Sequence, residues 1–175
     1  MTKQFNTGET QETLRQDYNP DGSVLRRAQM RMLDMAIYLQ ETAKKIGIPL
    51  RLDGGNVLGA LRHGGFIPWD DDIDMVVSQK DFKRLCDYLK AHPHPHYVLQ
   101  DNSTDRGFYK EWACLRDLRT ENRSHETSES ENRRIHEAQK YRGLHVDIFP
   151  YEGNMIPWLQ RFAAKLSVNV NLKMA

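Results

Sequence analysis

The sequence predicts an α/β (α+β) domain, a mixed sheet with helices packed against it. Three observations lead there. Between Leu25 and Ile46 apolar residues recur at spacings of three and four, which is the stripe of an amphipathic helix. Asp72-Ile73-Asp74-Met75-Val76-Val77 alternates polar and apolar residues at its start, as a strand entering a core from an edge does. Leu144-His145-Val146-Asp147-Ile148-Phe149 repeats that alternation seventy residues on, with Leu144, Val146 and Ile148 on one face and His145 and Asp147 on the other.

The chain has 175 residues, which suits a single domain with one continuous core. Its hydrophobic content of 39% and charged content of 28% are those of a globular protein, with a mean hydropathy of -0.73 on the polar side. A net charge of +1 gives no general attraction to nucleic acid or to an acidic membrane. No apolar run approaches the roughly 20 residues that span a bilayer, and the first sixteen residues lack the apolar centre of a signal peptide. Peripheral attachment to a membrane stays open. Cys86 and Cys114 form no CxxC pair and read as reduced thiols near the core. The expected location is cytoplasmic.

Residues 1–20 read as a polar, loosely held segment closed by an Asn19-Pro20-Asp21-Gly22 turn, and residues 21–175 as the domain. Asp21 or Ser23 should cap the first long helix, Gly47 should stop it, and Pro49 follows. Its methionines, at helical spacing, read as core. Ile48 to Asp53 is a short expected strand ended by Gly54-Gly55, and Asn56 to Arg62 a short helix whose first N–H groups suit a phosphate. Ser78 should cap a helix burying Phe82, Leu85, Cys86 and Leu89. Alternation with Pro93 and Pro95 makes His92, His94 and His96 a solvated turn rather than a metal site. Tyr97 to Gln100 and Glu111 to Asp117 are further strands. Arg119 to Arg142 is charge-dense, a surface loop or a lid over a site. Pro150 should end the strand at Phe149, and Pro157 should open a final helix through Trp158, Phe162 and Leu166. That helix reaches Ala175 without a stop signal, so the sequence reads as a fragment.

The chemistry concentrates at Asp70, Asp71, Asp72 and Asp74. On a strand, Asp72 and Asp74 would share one face roughly 7 Å apart. Two such carboxylates repel unless a cation joins them, and all-oxygen ligands suit Mg²⁺ (or Mn²⁺). A solvated acidic surface is the bland rival, against which the apolar alternation and the second Asp-bearing strand argue. An EF-hand loop is excluded, because Met75 stands where that loop needs Gly. Trp69 and Trp112 read as core or rim aromatics.

Gly54-Gly55, Asp72-Ile73-Asp74 and Val146-Asp147-Ile148 together resemble the nucleotidyltransferase fold. The longer run GGNVLGALRHGGFIPWDDDIDM, with HVDIFP about seventy residues later, resembles the LicD family of phosphotransferases and, in this region, the fukutin-related enzymes. The resemblance covers most of residues 24–152. It implies transfer of a phospho-alcohol, phosphocholine-like or ribitol phosphate, from a CDP-linked donor to a cell-surface glycan of the lipopolysaccharide or teichoic acid kind. Mapped here, Asp72, Asp74 and Asp147 would be catalytic and hold Mg²⁺, with Asp70 a further ligand or orienting group. Gly54, Gly55 and Asn56 would abut phosphate, and Arg62 and Arg116 would meet phosphate oxygens or else pair with nearby carboxylates. Asp147 is the expected base for the acceptor hydroxyl, ahead of His145 and Asp70. The family pattern carries a basic residue where Cys114 stands here. That departure keeps a second reading open, a catalytically inactive module of the same fold that holds a nucleotide or a glycan.

Overall fold

A computed structural model describes residues 10–121, 134 and 137–152. Helix α1 (Gln11–Tyr18) starts at Thr10, whose side chain accepts from the Thr13 N–H. The N-terminal segment is therefore docked over 11–18, against the expectation of a loose tail. Leu14 is buried and Gln11 hydrogen-bonds His63, so one side of this polar stretch has a partner surface that its composition did not advertise. Residues 1–9 lie outside the described residues.

Helix α2 (Val24–Lys45) is capped by Ser23, one of the two expected caps, and the chain leaves it through Gly47 at φ +69°. Its buried face comprises Gln29, Met32, Leu33, Met35, Ala36, Leu39, Thr42 and Ala43. Met32 and Met35 are core, as their spacing predicts. Strand β1 (Leu50–Leu52) is shorter than expected. Helix α3 (Gly54–Leu58) begins on the two glycines instead of after them, and continues as a π-helical turn through Gly59–His63 that Gly64 ends at φ +73°. Strand β2 (Asp74–Ser78) starts two residues later than expected, which leaves Asp72 just ahead of the sheet. Helix α4 (Gln79–Ala91) buries Leu85, Cys86 and Leu89 as predicted; Ser78 precedes it, but its hydroxyl donates to Asp81 and caps no N–H. Strands β3 (Tyr97–Gln100), β4 (Ala113–Asp117) and β5 (His145–Tyr151) complete the sheet.

The sheet order is β1-β2-β5-β4-β3, with β2 and β5 parallel and the other neighbours antiparallel. Pro150 does not stop β5. It sits past the end of β4, whose pairing reaches only Ala113 opposite Ile148, so no donor toward that neighbour is needed. α2 and α4 contribute to the same buried cluster as Leu50, Met75, Val77, Leu99, Leu115, Val146 and Ile148, one face of every strand. Alternation then forces Asp74, Asp147, Cys114, Arg116 and Gln100 onto the opposite face. The functional residues are a by-product of building the core. His92 and His96 are exposed and His94 stacks on Tyr97 at 4.5 Å, the solvated turn expected there. The expected final helix and most of the charged stretch between Arg119 and Arg142 lie outside the described residues. Among the described residues no helix is long and apolar enough to cross a membrane.

Candidate active site

The register across the sheet lines up one row of polar residues. Asp74 is opposite Asp147, Asp147 opposite Cys114, and Cys114 opposite Gln100. Asp53 extends the row at the other end, since its N–H donates to the Asp74 carbonyl at 2.9 Å and continues the β1–β2 ladder. Asp72 approaches from the loop ahead of β2. The sequence expectation that Asp74 and Asp147 come from neighbouring strands on one face therefore agrees with the register.

Two side chains hold this loop. Asn56, buried at the start of α3, accepts from the Asp74 N–H at 2.5 Å and donates to the Asp72 carbonyl at 3.1 Å. Its amide acts as a short piece of strand that fixes the backbone on both sides of Ile73. Gln29, fully buried on α2, donates to the carbonyls of Asp70 at 2.8 Å and of Ile67 and Pro68 at 3.3 Å, and accepts from Asn19 at 2.9 Å. The glycine corner is close by. A Cβ on Gly55 would stand 3.2 Å from Asp70 Oδ2, and one on Gly54, which also has φ +52°, 3.6 Å from Asp74 Oδ2. Side chains there would intrude on the carboxylates.

The carboxylates carry the electrostatic cost. Burial first, then Asp72, Asp147 and Asp53, push Asp74 up to about 6, with Lys110 opposing. Burial, then Asp72 and Asp71, push Asp70 up to about 6. Two carboxylates at the strand spacing of about 5 Å repel by about 3 kcal/mol at an effective dielectric of 20. Among the described residues one ammonium reaches the row: Lys110 Nζ lies 3.0 Å and 3.3 Å from the two oxygens of Asp147. Asp70 Oδ2 is buried with no hydrogen-bond partner among the described residues, and its neighbour Asp72 can pair with it only when one of the two holds a proton. Asp70, Asp71 and Asp72 each offer an oxygen within 4.8 Å of the others. An orphaned buried oxygen, unsettled neighbours and an all-oxygen donor set fit a hard divalent cation. The carboxylates whose oxygens converge among the described residues are those of Asp70, Asp71 and Asp72, while Asp74 and Asp147 face one another across β2 and β5.

Other expected residues are placed differently. Asn56 spends its side chain on the backbone, and its N–H donates to the Asp53 carbonyl at 3.1 Å, so it shapes the loop instead of facing a phosphate. Arg116 is buried. It donates to Gln100 Oε1 at 2.5 Å, the Gly143 carbonyl at 2.8 Å, His145 Nδ1 at 3.1 Å and Gln139 Oε1 at 3.3 Å, which makes it a tie between β4 and β5 and not a free phosphate fork. Because Arg116 must donate to Nδ1, the His145 proton sits on Nε2, and burial first, then Arg116, hold this imidazole neutral. Arg62 is exposed at the end of the π-helical turn, and Gly54 and Gly55 are exposed beside the carboxylates. Cys114 is fully buried, bonded to Gln100 and pushed up to about 12 by burial, a thiol at every ordinary pH. Trp69 is exposed against Tyr18, while Trp112 packs on Phe149 at 4.9 Å beside the acidic row.

Sequence reasoning missed Asp53, Gln29 and Lys110. Asp53 had a signal, an acid directly ahead of a glycine pair at a strand end. Gln29 had a weaker one, a polar residue inside the turn that the Met32 stripe buries. Lys110 had none, because its contact with Asp147 spans 37 positions of chain and depends on the β4–β5 register.

Mixed sheet, glycine corner and carboxylate row define an α/β domain of nucleotidyltransferase type. Residues 47–163 match the family described as LicD/FKTN/FKRP, nucleotidyltransferase domain. The chain is 31% identical over 131 residues to the lipopolysaccharide cholinephosphotransferase LicD of Haemophilus influenzae, covering 74% of this chain and 44% of that protein. It is 32% identical over 120 residues to the ribitol 5-phosphate transferase FKRP of Mus musculus and of Homo sapiens, 65% of this chain and 20% of theirs. This chain belongs to the LicD family. It spans less than half the length of each of these relatives.

Proposed function

We propose that this domain is a Mg²⁺-dependent phosphotransferase (Mn²⁺ serving in its place) that moves a phospho-alcohol, phosphocholine-like, from a CDP-linked donor to a cell-surface glycan. The observation that carries the reading is the pairing of Asp74 with Asp147 on adjacent strands, at the edge of a loop that offers Asp72 and Asp70. Family membership supports it, since the relatives are named as cholinephosphotransferase and ribitol 5-phosphate transferase. When bound, the divalent ion supplies positive charge against phosphate oxygens and aligns them. Asp72, Asp74 and Asp147 hold it, and Gly54 and Gly55 leave room for the donor phosphates to approach. Arg62 offers a guanidinium from the rim. The acceptor hydroxyl oxygen bonds to the phosphorus that bears the alcohol while the bond to CMP breaks, and the hydroxyl proton passes to a carboxylate, Asp147 in this reading. The neutral imidazole of His145 holds its Nε2 proton toward Asp147 and is no base itself. A cytoplasmic site of action, where CDP-linked donors are met, goes with the same reading.

Incubation with CDP-choline or CDP-ribitol, Mg²⁺ and candidate glycans should release CMP together with a glycan heavier by the phospho-alcohol. Asp72→Asn and Asp74→Asn should each stop the release. CMP production that survives both substitutions removes these carboxylates from the reaction. Binding of the donor without turnover on any glycan replaces the transferase reading with that of an inactive nucleotide- or glycan-holding module.

A further inference from the structure

We propose that Lys110 is the resident counter-ion of Asp147, that it is displaced when a divalent cation joins Asp74 and Asp147, and that it then holds the donor phosphate. The inference rests on the transferase reading above and names a residue which that reading does not use.

Lys110 precedes β4, and its side chain is 16% exposed, low for a lysine. Its Nζ reaches both oxygens of Asp147 at 3.0 Å and 3.3 Å and stands 3.5 Å from His145 Nε2. It also lies 5.0 Å from the Trp112 ring centroid. The head thus ends in the acidic row, at the carboxylate expected to give an oxygen to a metal. The ammonium sits against both oxygens of Asp147, so a metal bound to either oxygen would lie within a few ångströms of it. Two cations on one carboxylate also repel each other, so ammonium and divalent ion compete for the site. The competition has an exit, because the ammonium ends a flexible four-carbon stem with rotatable donors and serves as a point-charge partner for phosphate. An incoming pyrophosphate supplies the anion that Asp147 no longer offers. A structural ion pair behaves differently: its loss loosens the carboxylate and weakens metal binding. The sign of the effect separates the two.

The test uses the intact chain with Mn²⁺ alone, followed by electron spin resonance, and then CDP at saturating Mn²⁺, followed by calorimetry. Lys110→Met should bind Mn²⁺ about tenfold more tightly than the wild type, the size of one lost contact between like charges. The same variant should bind CDP about tenfold more weakly. Lys110→Arg, which keeps the charge, should return both values toward those of the wild type. Lys110→Gln carries the same expectations as the Met variant and serves if that protein does not fold. Unchanged or weaker Mn²⁺ binding in the uncharged variant overturns the proposal, as does unchanged CDP binding. Asp74→Asn, measured alongside, separates the two levels of inference. If it keeps wild-type Mn²⁺ affinity, the metal reading of the row is wrong. If it loses Mn²⁺ while the Lys110 variants gain nothing, only the role of Lys110 falls.

Discussion

Replacing Asn56 by Ala tests whether the acidic loop is held from below. The substitution removes the acceptor of the Asp74 N–H and the donor to the Asp72 carbonyl. Asn56 is only 7% exposed, so water does not easily replace it. Leaving a buried backbone group unpaired costs about 1–3 kcal/mol, so losing both partners should cost about 2–4 kcal/mol after some local relaxation. For a domain of this size that lowers the thermal midpoint by about 5–12 °C. The freed loop should also hold Asp72 and Asp74 less well, so Mn²⁺ should bind more weakly. Asn56→Asp is the internal control. It keeps an acceptor for the Asp74 N–H, loses the donor to Asp72 and adds a charge to the acidic row, so its metal-free midpoint should fall at least as far and recover more on adding Mn²⁺. Thermal scans in EDTA and in Mn²⁺ measure both effects. An Ala variant that melts with the wild type and binds Mn²⁺ equally refutes the claim that this amide organises the site.

Arg116→Met should destabilise the domain by about 3–5 kcal/mol in a urea titration, because it leaves the Gly143 carbonyl and His145 Nδ1 without this donor in a buried place and Gln100 Oε1 with only the Cys114 thiol; a loss below 1 kcal/mol would mean that the arginine is free to serve a ligand. The pH dependence of the metal-free protein follows from Asp70 and Asp74. Both are raised from 3.8 to about 6 in the folded chain, so folding takes up protons between these values. Their contribution is most favourable below the unfolded value and is lost as pH rises through the folded one, so stability in EDTA should decline from pH 4 to pH 7. Mn²⁺ should reverse that decline, with affinity rising through pH 6 as the protons leave. Asp74→Asn should flatten the slope in EDTA, and a slope identical to the wild type would exclude the crowding of that carboxylate.

Sequence patterns lose and keep different things for physical reasons. Alternation along Asp74–Ser78 and His145–Tyr151 is a local property, and it placed Asp74 and Asp147 on one side of the sheet before any pairing was known. The helical stripe of α2 was equally legible, except that its buried face is turned toward Gln29 instead of Leu25. What stayed illegible depends on partners distant in the chain. Asn56 read as a phosphate contact because its place after two glycines suits one, while its partners are 16 and 18 residues away in the loop it clamps. Arg116 read the same way because guanidinium chemistry suits phosphate, and nothing local shows that Gln100, Gln139 and Gly143 close around it. Side-chain type states what a residue is able to do; burial decides which of those things remain available.

The same reasoning explains why so much neutral machinery surrounds so few acids. A row that brings Asp53, Asp74 and Asp147 side by side is held against its own repulsion, which Lys110 offsets directly only at Asp147. No local propensity offsets that, and strand formation alone would let the acidic loop swing outward to water. Gln29 and Asn56 prevent it without adding charge, by tying the carbonyls of Ile67, Pro68, Asp70 and Asp72 and the N–H of Asp74 to the helices behind. Amide side chains suit the task because each donates and accepts at once and keeps the same form at every pH. A lysine in place of either would add a positive charge beside the row and weaken its demand for a cation. The protein thus keeps its acids crowded by fixing the backbone that carries them, leaving Lys110 as the one ammonium in contact with Asp147 among the described residues. A row so held binds a cation through the relief of repulsion already present in the fold, which is why the stability and the metal affinity of this domain should move together under substitutions of Gln29 or Asn56 that add no charge to the row.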